Sequence, residues 1–242
     1  MLKENERLDD LEIKGYHVIQ SPDGYCFTSD SVMLSNYVNV KKTDRVVDLC
    51  TGSGVIALLV HAKFSPKLIY GIEIQPRLAD MATRSVQYNG LEDSIKIINA
   101  PVQGCTKIIG SGFDVVTVNP PYDKTDLVGD KDEYSEKDIC KSEVRLTVEE
   151  CIEWGAKLLK FGGTFYMVNK ARRLVDVICA MRNYGIEPKK IRFIQPKASK
   201  EIDVFVVEGK KGAKPSLTLP TPLIVYNEDD TYTETARRIY NK

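Results

Sequence analysis

Apolar positions along this chain fall into two alternating patterns. Short runs rich in β-branched residues, at 45–50, 67–73, 94–99 and 113–118, read as strands buried on both faces. Between them the apolar residues fall at helical spacing: Val55, Ile56, Leu58, Leu59 and Val60 in one stretch, then Leu78, Met81, Ala82 and Val86 in the next. Gln75-Pro76 opens the second stretch and Asn89-Gly90 closes it, as expected of a helix with proline in its first turn and glycine at its stop. Strands alternating with helices predict an α/β fold around a parallel sheet. The rhythm continues with a helix over 144–160, a strand over 162–168 and a helix over 172–184 closed by Gly185. Two last strands, 191–194 and 204–207, lie close enough in the chain to pair as an antiparallel end.

The flanks are less regular. Residues 1–40 read as an extension or lid packed on the core, 41–214 as the main domain and 215–242 as a tail that completes it. Leu8, Leu11 and Ile13 suit a short docking element, and Ser21-Pro22-Asp23-Gly24 is a turn signal. Asp30 has two readings. It is the N-cap of a helix carrying Val32, Met33, Leu34 and Val38, or it belongs with Phe27 and Thr28 to a lid over a cofactor. The stretch 123–143, dense in acids and lysines, is a solvated loop or a lid that orders when substrate arrives. The tail is broken by Pro220 and Pro222, and a short helix is expected near its end.

Composition narrows the class. At 242 residues, 43% hydrophobic and 28% charged, the chain has enough apolar mass for a sizeable core. Its net charge of zero gives no overall nucleic-acid signature, so any such surface must be local. The basic residues between 187 and 215, Lys197 and Lys200 among them, are the candidate patch. The six cysteines show no C-x-x-C pattern, which points away from a zinc site or disulfide framework and towards a reducing cytoplasm. The charged N-terminal residues do not read as a signal peptide, and no apolar run approaches the ~18 residues of a membrane span. No metal and no membrane partner are expected, and a monomer is.

Chemistry concentrates at the ends of the apolar runs. The run 113–118 stops at Asn119-Pro120-Pro121-Tyr122. Neither proline can extend a sheet ladder, so a rigid corner forms at the carboxyl edge, where open α/β sheets bind ligands. A planar group with an exocyclic amine needs acceptors for two N–H bonds and a face to stack on. The Asn119 side-chain oxygen and the Pro120 carbonyl supply the first, and the Tyr122 ring the second. Thr51-Gly52-Ser53-Gly54 is a tight turn between strand and helix. Its glycines also fit a dinucleotide fingerprint. Asp48, just before them, disfavours a pyrophosphate there and suits a positively charged cofactor without phosphate, such as S-adenosylmethionine. Glu73, about 20 residues after the turn, stands where an acid accepts ribose hydroxyls in adenosine-binding folds.

Together these motifs resemble the Rossmann-like S-adenosylmethionine-dependent amino-methyltransferases. The segments 6–11, 24–30 and 222–226, with Tyr232-Thr233, look like the bacterial tRNA(Val) adenine N6-methyltransferase family. The resemblance implies a seven-stranded sheet ending in an antiparallel strand pair. It implies methylation of the adenosine 3′ of the anticodon, with S-adenosylhomocysteine as product and tRNA as partner. Carried onto this chain, it makes Asn119, Pro120, Pro121 and Tyr122 catalytic. It assigns the cofactor to Phe27, Thr28, Asp30, Asp48, Thr51, Gly52, Gly54, Glu73, Ile74, Asn99, Ala100 and Asn119. RNA contact falls to Tyr122, Lys124, Lys141, Lys197 and Lys200. Glutamine methylation of a protein, and ribosomal RNA or DNA amino-methylation, use the same kind of corner and stay open, as does a cofactor-binding RNA module without turnover. Two stretches depart from the family pattern. Asn99-Ala100-Pro101 stands where an aspartate usually follows the third strand, and Cys140-Lys141-Ser142-Glu143 replaces a more basic cluster.

Overall fold

Two of the β-branched runs, 45–49 and 113–118, lie side by side at the centre of one large sheet. The computed structural model describes residues 2–24, 26–123 and 134–240. An antiparallel ribbon, β1 (Arg7–Asp10) and β2 (His17–Gln20), comes first, followed by α1 (Ser29–Tyr37). Strict alternation follows: β3 (Arg45–Leu49), α2 (Val55–Phe64), β4 (Leu68–Glu73), α3 (Pro76–Tyr88), β5 (Ile95–Asn99), α4 (Thr106–Ile109) and β6 (Phe113–Val118). The second half comprises α5 (Glu136–Lys141), α6 (Val148–Leu158), β7 (Leu159–Lys170), α7 (Leu174–Asn183), β8 (Ile186–Gln195), β9 (Val204–Lys211), β10 (Leu223–Ile224) and α8 (Glu234–Tyr240).

The sheet order is β10-β8-β9-β7-β6-β3-β4-β5. Strands β3 to β7 run parallel, and β9 enters antiparallel between β7 and β8. The chain winds outward from β3 to β5, then returns to lay β6 against β3. That reversal opens a crevice at the carboxyl ends of β3 and β6, the usual ligand position in open α/β sheets.

Alternate strand residues face opposite layers. Val46, Ile69, Val115 and Val206 pack under α1 and α2, while Val47, Ile72, Val116 and Val207 pack under α6 and α7. Helices on both faces explain why the parallel strands are apolar throughout.

Several expectations need correction. The sheet has eight strands rather than seven, because the tail adds β10 parallel to β8. The antiparallel pair β8/β9 is longer than the two four-residue runs suggested. The short docking element expected around Leu8 is a β-ribbon on α3, where the Ile19 N–H donates to Ser85 Oγ at 2.9 Å. The capping position of α1 is Thr28, so Asp30 lies in the first turn and is not the N-cap. Most of the irregular stretch, 124–133, lies outside the described residues, but its end forms α5, started by a capping box between Ser135 and Asp138. The long helix begins only at Val148, because Thr147 and Glu150 form its own capping box.

Candidate functional site

The carboxyl edge of the sheet opens into a cavity of about 400 Å³, within the roughly 300–1,000 Å³ usual for small-molecule sites. Its walls come from seven places in the chain. Phe27, Thr28, Asp30 and Ser31 close it from the start of α1. Thr51, Gly52 and Ser53 form the turn after β3, and Glu73, Ile74 and Gln75 the tip of β4. Val102 and Gln103 follow β5, Asn119 to Asp123 follow β6, and Lys141, Arg145, Lys170 and Arg172 stand at the far side.

The turn is held from below. Gly52 has a φ of +57° and no heavy atom within 4 Å of the place a side chain would start, so the cavity reaches its backbone. Its N–H donates to Glu73 Oε2 at 2.9 Å, and the Gln75 N–H donates to Glu73 Oε1 at 2.9 Å. The Glu73 carboxylate thus stands fixed at the strand tip with lone pairs to spare. Burial raises its pKa, and the backbone N–H bonds oppose that rise. Gly54 does not line the cavity. A side chain there would meet Ala82 Cβ at 3.3 Å, so its role is the close approach of α2 to α3.

Asp48 does not reach the cavity either. Its carboxyl is 0% exposed and accepts from Thr51 Oγ1 at 2.5 Å and Thr117 Oγ1 at 2.7 Å. It braces the turn through Thr51 and ties β3 to β6, a supporting role. Desolvation pushes its pKa up to about 7, against the two hydroxyl donors. An acid with a folded pKa above its unfolded value stabilises the fold most at low pH. That contribution is lost as pH rises from about 4 to about 7. Wild type should therefore lose stability relative to Asp48→Asn across this window, by up to ~1.4 kcal/mol for each tenfold difference in proton affinity between the folded and unfolded chain. Urea midpoints of both proteins between pH 4 and 8 measure this, and parallel curves would contradict it.

Asn99 and Ala100 also lie outside the cavity lining. The Asn99 amide donates to the Glu73 carbonyl at 2.9 Å and the Ile74 carbonyl at 3.1 Å, and the Ala100 N–H donates to the Glu73 carbonyl at 3.0 Å. Both clasp the tip of β4. The wall beyond β5 is instead Val102 and Gln103, which sequence reasoning missed. Ile74 presents an exposed apolar side chain to the same space.

The corner at Asn119–Tyr122 is anchored on all sides. The Tyr122 N–H donates to the Lys141 carbonyl at 2.9 Å, and its own carbonyl accepts from Arg173 Nη1 at 3.1 Å. Arg173 is buried with Glu143, their charged groups 2.9 Å apart. Asn119 Nδ2 donates to Ser31 Oγ at 3.1 Å. The Tyr122 hydroxyl lies 2.6 Å from Asn119 Oδ1 and 2.9 Å from Asp30 Oδ2. Among the described residues no donor reaches the Pro120 carbonyl, so that acceptor is available to a ligand. Lys170 Nζ stands 5.8 Å from the centre of the Tyr122 ring.

The basic residues divide. Lys141 lines the mouth, and so do Arg145, Lys170 and Arg172, none of which the sequence singled out. Lys197 and Lys200 lie in the β8–β9 connection, at the same edge of the sheet as Lys170, which pairs with Val204. They do not line the cavity, and Lys197 is paired with Asp230 at 2.8 Å. Lys210 and Lys211 sit at the opposite end of β9, so the basic run between 187 and 215 is not one patch. Lys124 lies outside the described residues. Among the described residues, no helix is long and apolar enough to cross a membrane, and no cluster of His, Cys, Asp and Glu is arranged to hold a metal.

Comparison with known proteins finds methyltransferases among its relatives and structural neighbours. Relatives named tRNA1(Val) (adenine(37)-N6)-methyltransferase include one from Haemophilus influenzae strain PittEE, 21% identical over 91% of this chain and 92% of its own length. Another, from Pedobacter heparinus, is 24% identical over 73% of each chain. Among solved structures, a predicted O-methyltransferase from Agrobacterium tumefaciens superposes with a TM-score of 0.71 at 20% identity, over 88% of this chain and 95% of that one. The M. jannaschii protein TYW2, solved with AdoMet, gives a TM-score of 0.59 at 15% identity over 87% of each chain. The family model described as "Methyltransferase small domain" matches residues 27–179, which carry the glycine turn, the acid of β4 and the Asn-Pro-Pro-Tyr corner. The chain belongs to the methyltransferase small domain family, and it is an S-adenosylmethionine-dependent methyltransferase.

Proposed function

We infer that this protein methylates the N6 amine of an adenine in tRNA, at the adenosine 3′ of the anticodon. The observation that carries this reading is one cavity with two unlike ends. One end has the open backbone of Gly52 and the fixed Glu73 carboxylate, the other has Asn119, the Pro120 carbonyl and the Tyr122 ring. The relatives that align over nine-tenths of the chain bear the name of that tRNA modification and support the same choice.

The first end fits an adenosyl group. Glu73 has lone pairs free for ribose hydroxyls, Ile74 and Val102 offer apolar faces, and Gly52 leaves room for close approach. S-adenosylmethionine supplies an electrophilic methyl group when bound. Phe27 and Thr28 cover the site from α1. Glu73→Ala removes both acceptors and leaves two backbone donors unmatched. Affinity for S-adenosylmethionine should fall about 10- to 100-fold, the equivalent of ~1.5–3 kcal/mol. Titration calorimetry checks this, and an unchanged affinity would remove Glu73 from the site.

The second end holds the amine. Asn119 Oδ1 and the Pro120 carbonyl accept its two N–H bonds and turn the nitrogen lone pair out of conjugation with the ring. Tyr122 stacks on the base, at about 1–3 kcal/mol. Both residues hold the amine still, so much of the acceleration is positioning. The proton leaves after transfer, when the nitrogen is strongly acidic, so no general base is required. An anticodon-loop base enters such a pocket more easily than one in a duplex. Lys141 and Arg145 stand on the cavity wall, suited to backbone phosphates, beside Lys170 and Arg172, which pair with Asp203 and Asp123.

A glutamine side chain is also planar with an exocyclic amine, so the decisive comparison is between acceptors. Purified protein is given labelled S-adenosylmethionine with total unmodified tRNA in one tube and a release factor in another. Label on tRNA is the expected result. Label on the protein alone would move the substrate to glutamine and overturn the tRNA reading.

A further inference from the structure

The start of α1 grips both ends of the Asn-Pro-Pro-Tyr corner. Ser31 accepts from Asn119 Nδ2, which leaves Asn119 Oδ1 facing Tyr122. Its neighbour Asp30 faces the Tyr122 hydroxyl. That hydroxyl stands between two acceptors, Asn119 Oδ1 at 2.6 Å and Asp30 Oδ2 at 2.9 Å. A phenol has a single proton and can donate it to only one of them.

The choice matters for methyl transfer. Asn119 Oδ1 is the oxygen that the proposed reaction needs as acceptor for the substrate amine. A Tyr122 proton pointed at it competes with the amine. We propose that Asp30 is a positioning residue that accepts the hydrogen bond of the Tyr122 hydroxyl and so leaves Asn119 Oδ1 open to a planar exocyclic amine. This rests on the functional reading above and goes beyond it. The carboxylate is well suited to win the proton. A carboxylate oxygen is a stronger acceptor than an amide oxygen, and this one sits in the first turn of α1, where the helix dipole favours an anion. The arrangement also gives the hydroxyl a purpose, since a phenylalanine ring would stack equally well.

The test is a double-mutant cycle with kcat and the KM for S-adenosylmethionine both measured on the acceptor that wild type methylates. Asp30→Ala sends the proton to Asn119, and kcat should fall about tenfold with the KM for S-adenosylmethionine unchanged. Asp30→Asn retains an acceptor oxygen but loses the charge, so its kcat should fall between those of wild type and Asp30→Ala. Tyr122→Phe removes the competing proton, so adding Asp30→Ala to it should cost less than twofold. Should Asp30→Ala not fold, Asp30→Ser takes its place in the cycle. Equal losses from Asp30→Ala in both backgrounds would overturn the proposal. So would a raised KM for S-adenosylmethionine in both, which makes Asp30 a cofactor ligand. A wild type silent on both tRNA and glutamine overturns the functional reading along with this inference, whereas an active wild type with an additive cycle overturns this inference alone.

Discussion

Asn119→Ala should lower kcat for methyl transfer by roughly a hundredfold or more while S-adenosylmethionine still binds with near wild-type affinity. In the proposed reaction the lost oxygen accepts an N–H whose nitrogen becomes positively charged as the new bond forms. Hydrogen bonds to charged groups are worth ~1.5–3 kcal/mol, which is about 10- to 150-fold in rate. Poor placement of the amine adds to that, since displacing a reacting group by about 1 Å costs ~10². The cofactor end of the cavity is built from other elements, at Gly52 and the tip of β4, so its affinity should not follow. Single-turnover rates and calorimetry on the same preparation separate the two quantities. A variant with near-normal rate would remove Asn119 from the reaction, and one that fails to bind S-adenosylmethionine would move it to the cofactor end.

Arg173→Met should cost both stability and activity, and the two should be separable. Arg173 is buried, 8% exposed at its side chain, and it pairs with Glu143, which is 9% exposed. It also pairs with Asp176 at 2.9 Å and donates to the Tyr122 carbonyl. Removing one member of a buried pair strands the other charge and costs ~3–5 kcal/mol. For a domain of this size that lowers the melting temperature by roughly 10 °C. Replacing both, Arg173→Met with Glu143→Leu, removes the stranded charge and should recover most of the lost stability. Activity should stay low in the double variant, because the Tyr122 carbonyl still lacks its donor and the corner can shift. Melting curves and kcat measured together check this. Full recovery of kcat in the double variant would reduce Arg173 to a purely structural role.

The contrast between Asn119 and Arg173 shows what residue order makes readable. Asn119, Glu73 and Gly52 each lie at or just beyond the end of an apolar run, so the strand that carries them also gives their place at the carboxyl edge. Arg173 arrives from a 3₁₀ turn between β7 and α7, and nothing local marks it as the donor to a carbonyl some fifty residues earlier. Ser31, Arg145 and Lys170 escape notice for the same reason. Asp48 shows the opposite error. Its position beside the glycine turn pointed to the cofactor, but the register of β3 against β6 pairs it with Thr117. That leaves its carboxyl bonded beneath the turn.

The fold followed similar limits. Parallel strands buried on both faces advertise themselves, and β3 to β6 fall within a residue or so of their predicted bounds. Strand β7 begins before Gly162-Gly163, glycines that read as a boundary, and β8 passes through Pro188 at an irregularity in its pairing with β9. The two-residue β10 and the four-residue strands of the N-terminal ribbon are too short for any periodicity to show. In Thr28-Ser29-Asp30-Ser31 all four residues suit a helix cap, so propensity alone could not choose Thr28.

The measurement closest to the central claim is the chemical identity of the methylated product. Unmodified tRNA is incubated with the protein and methyl-labelled S-adenosylmethionine, digested to nucleosides and resolved by mass and retention. The account predicts label in N6-methyladenosine, from a single tRNA species, at the residue 3′ of the anticodon. Label on a ring nitrogen, a ribose oxygen or a carbon would contradict it, because the proposed reaction uses the Asn119 and Pro120 acceptors to hold the two N–H bonds of an exocyclic amine.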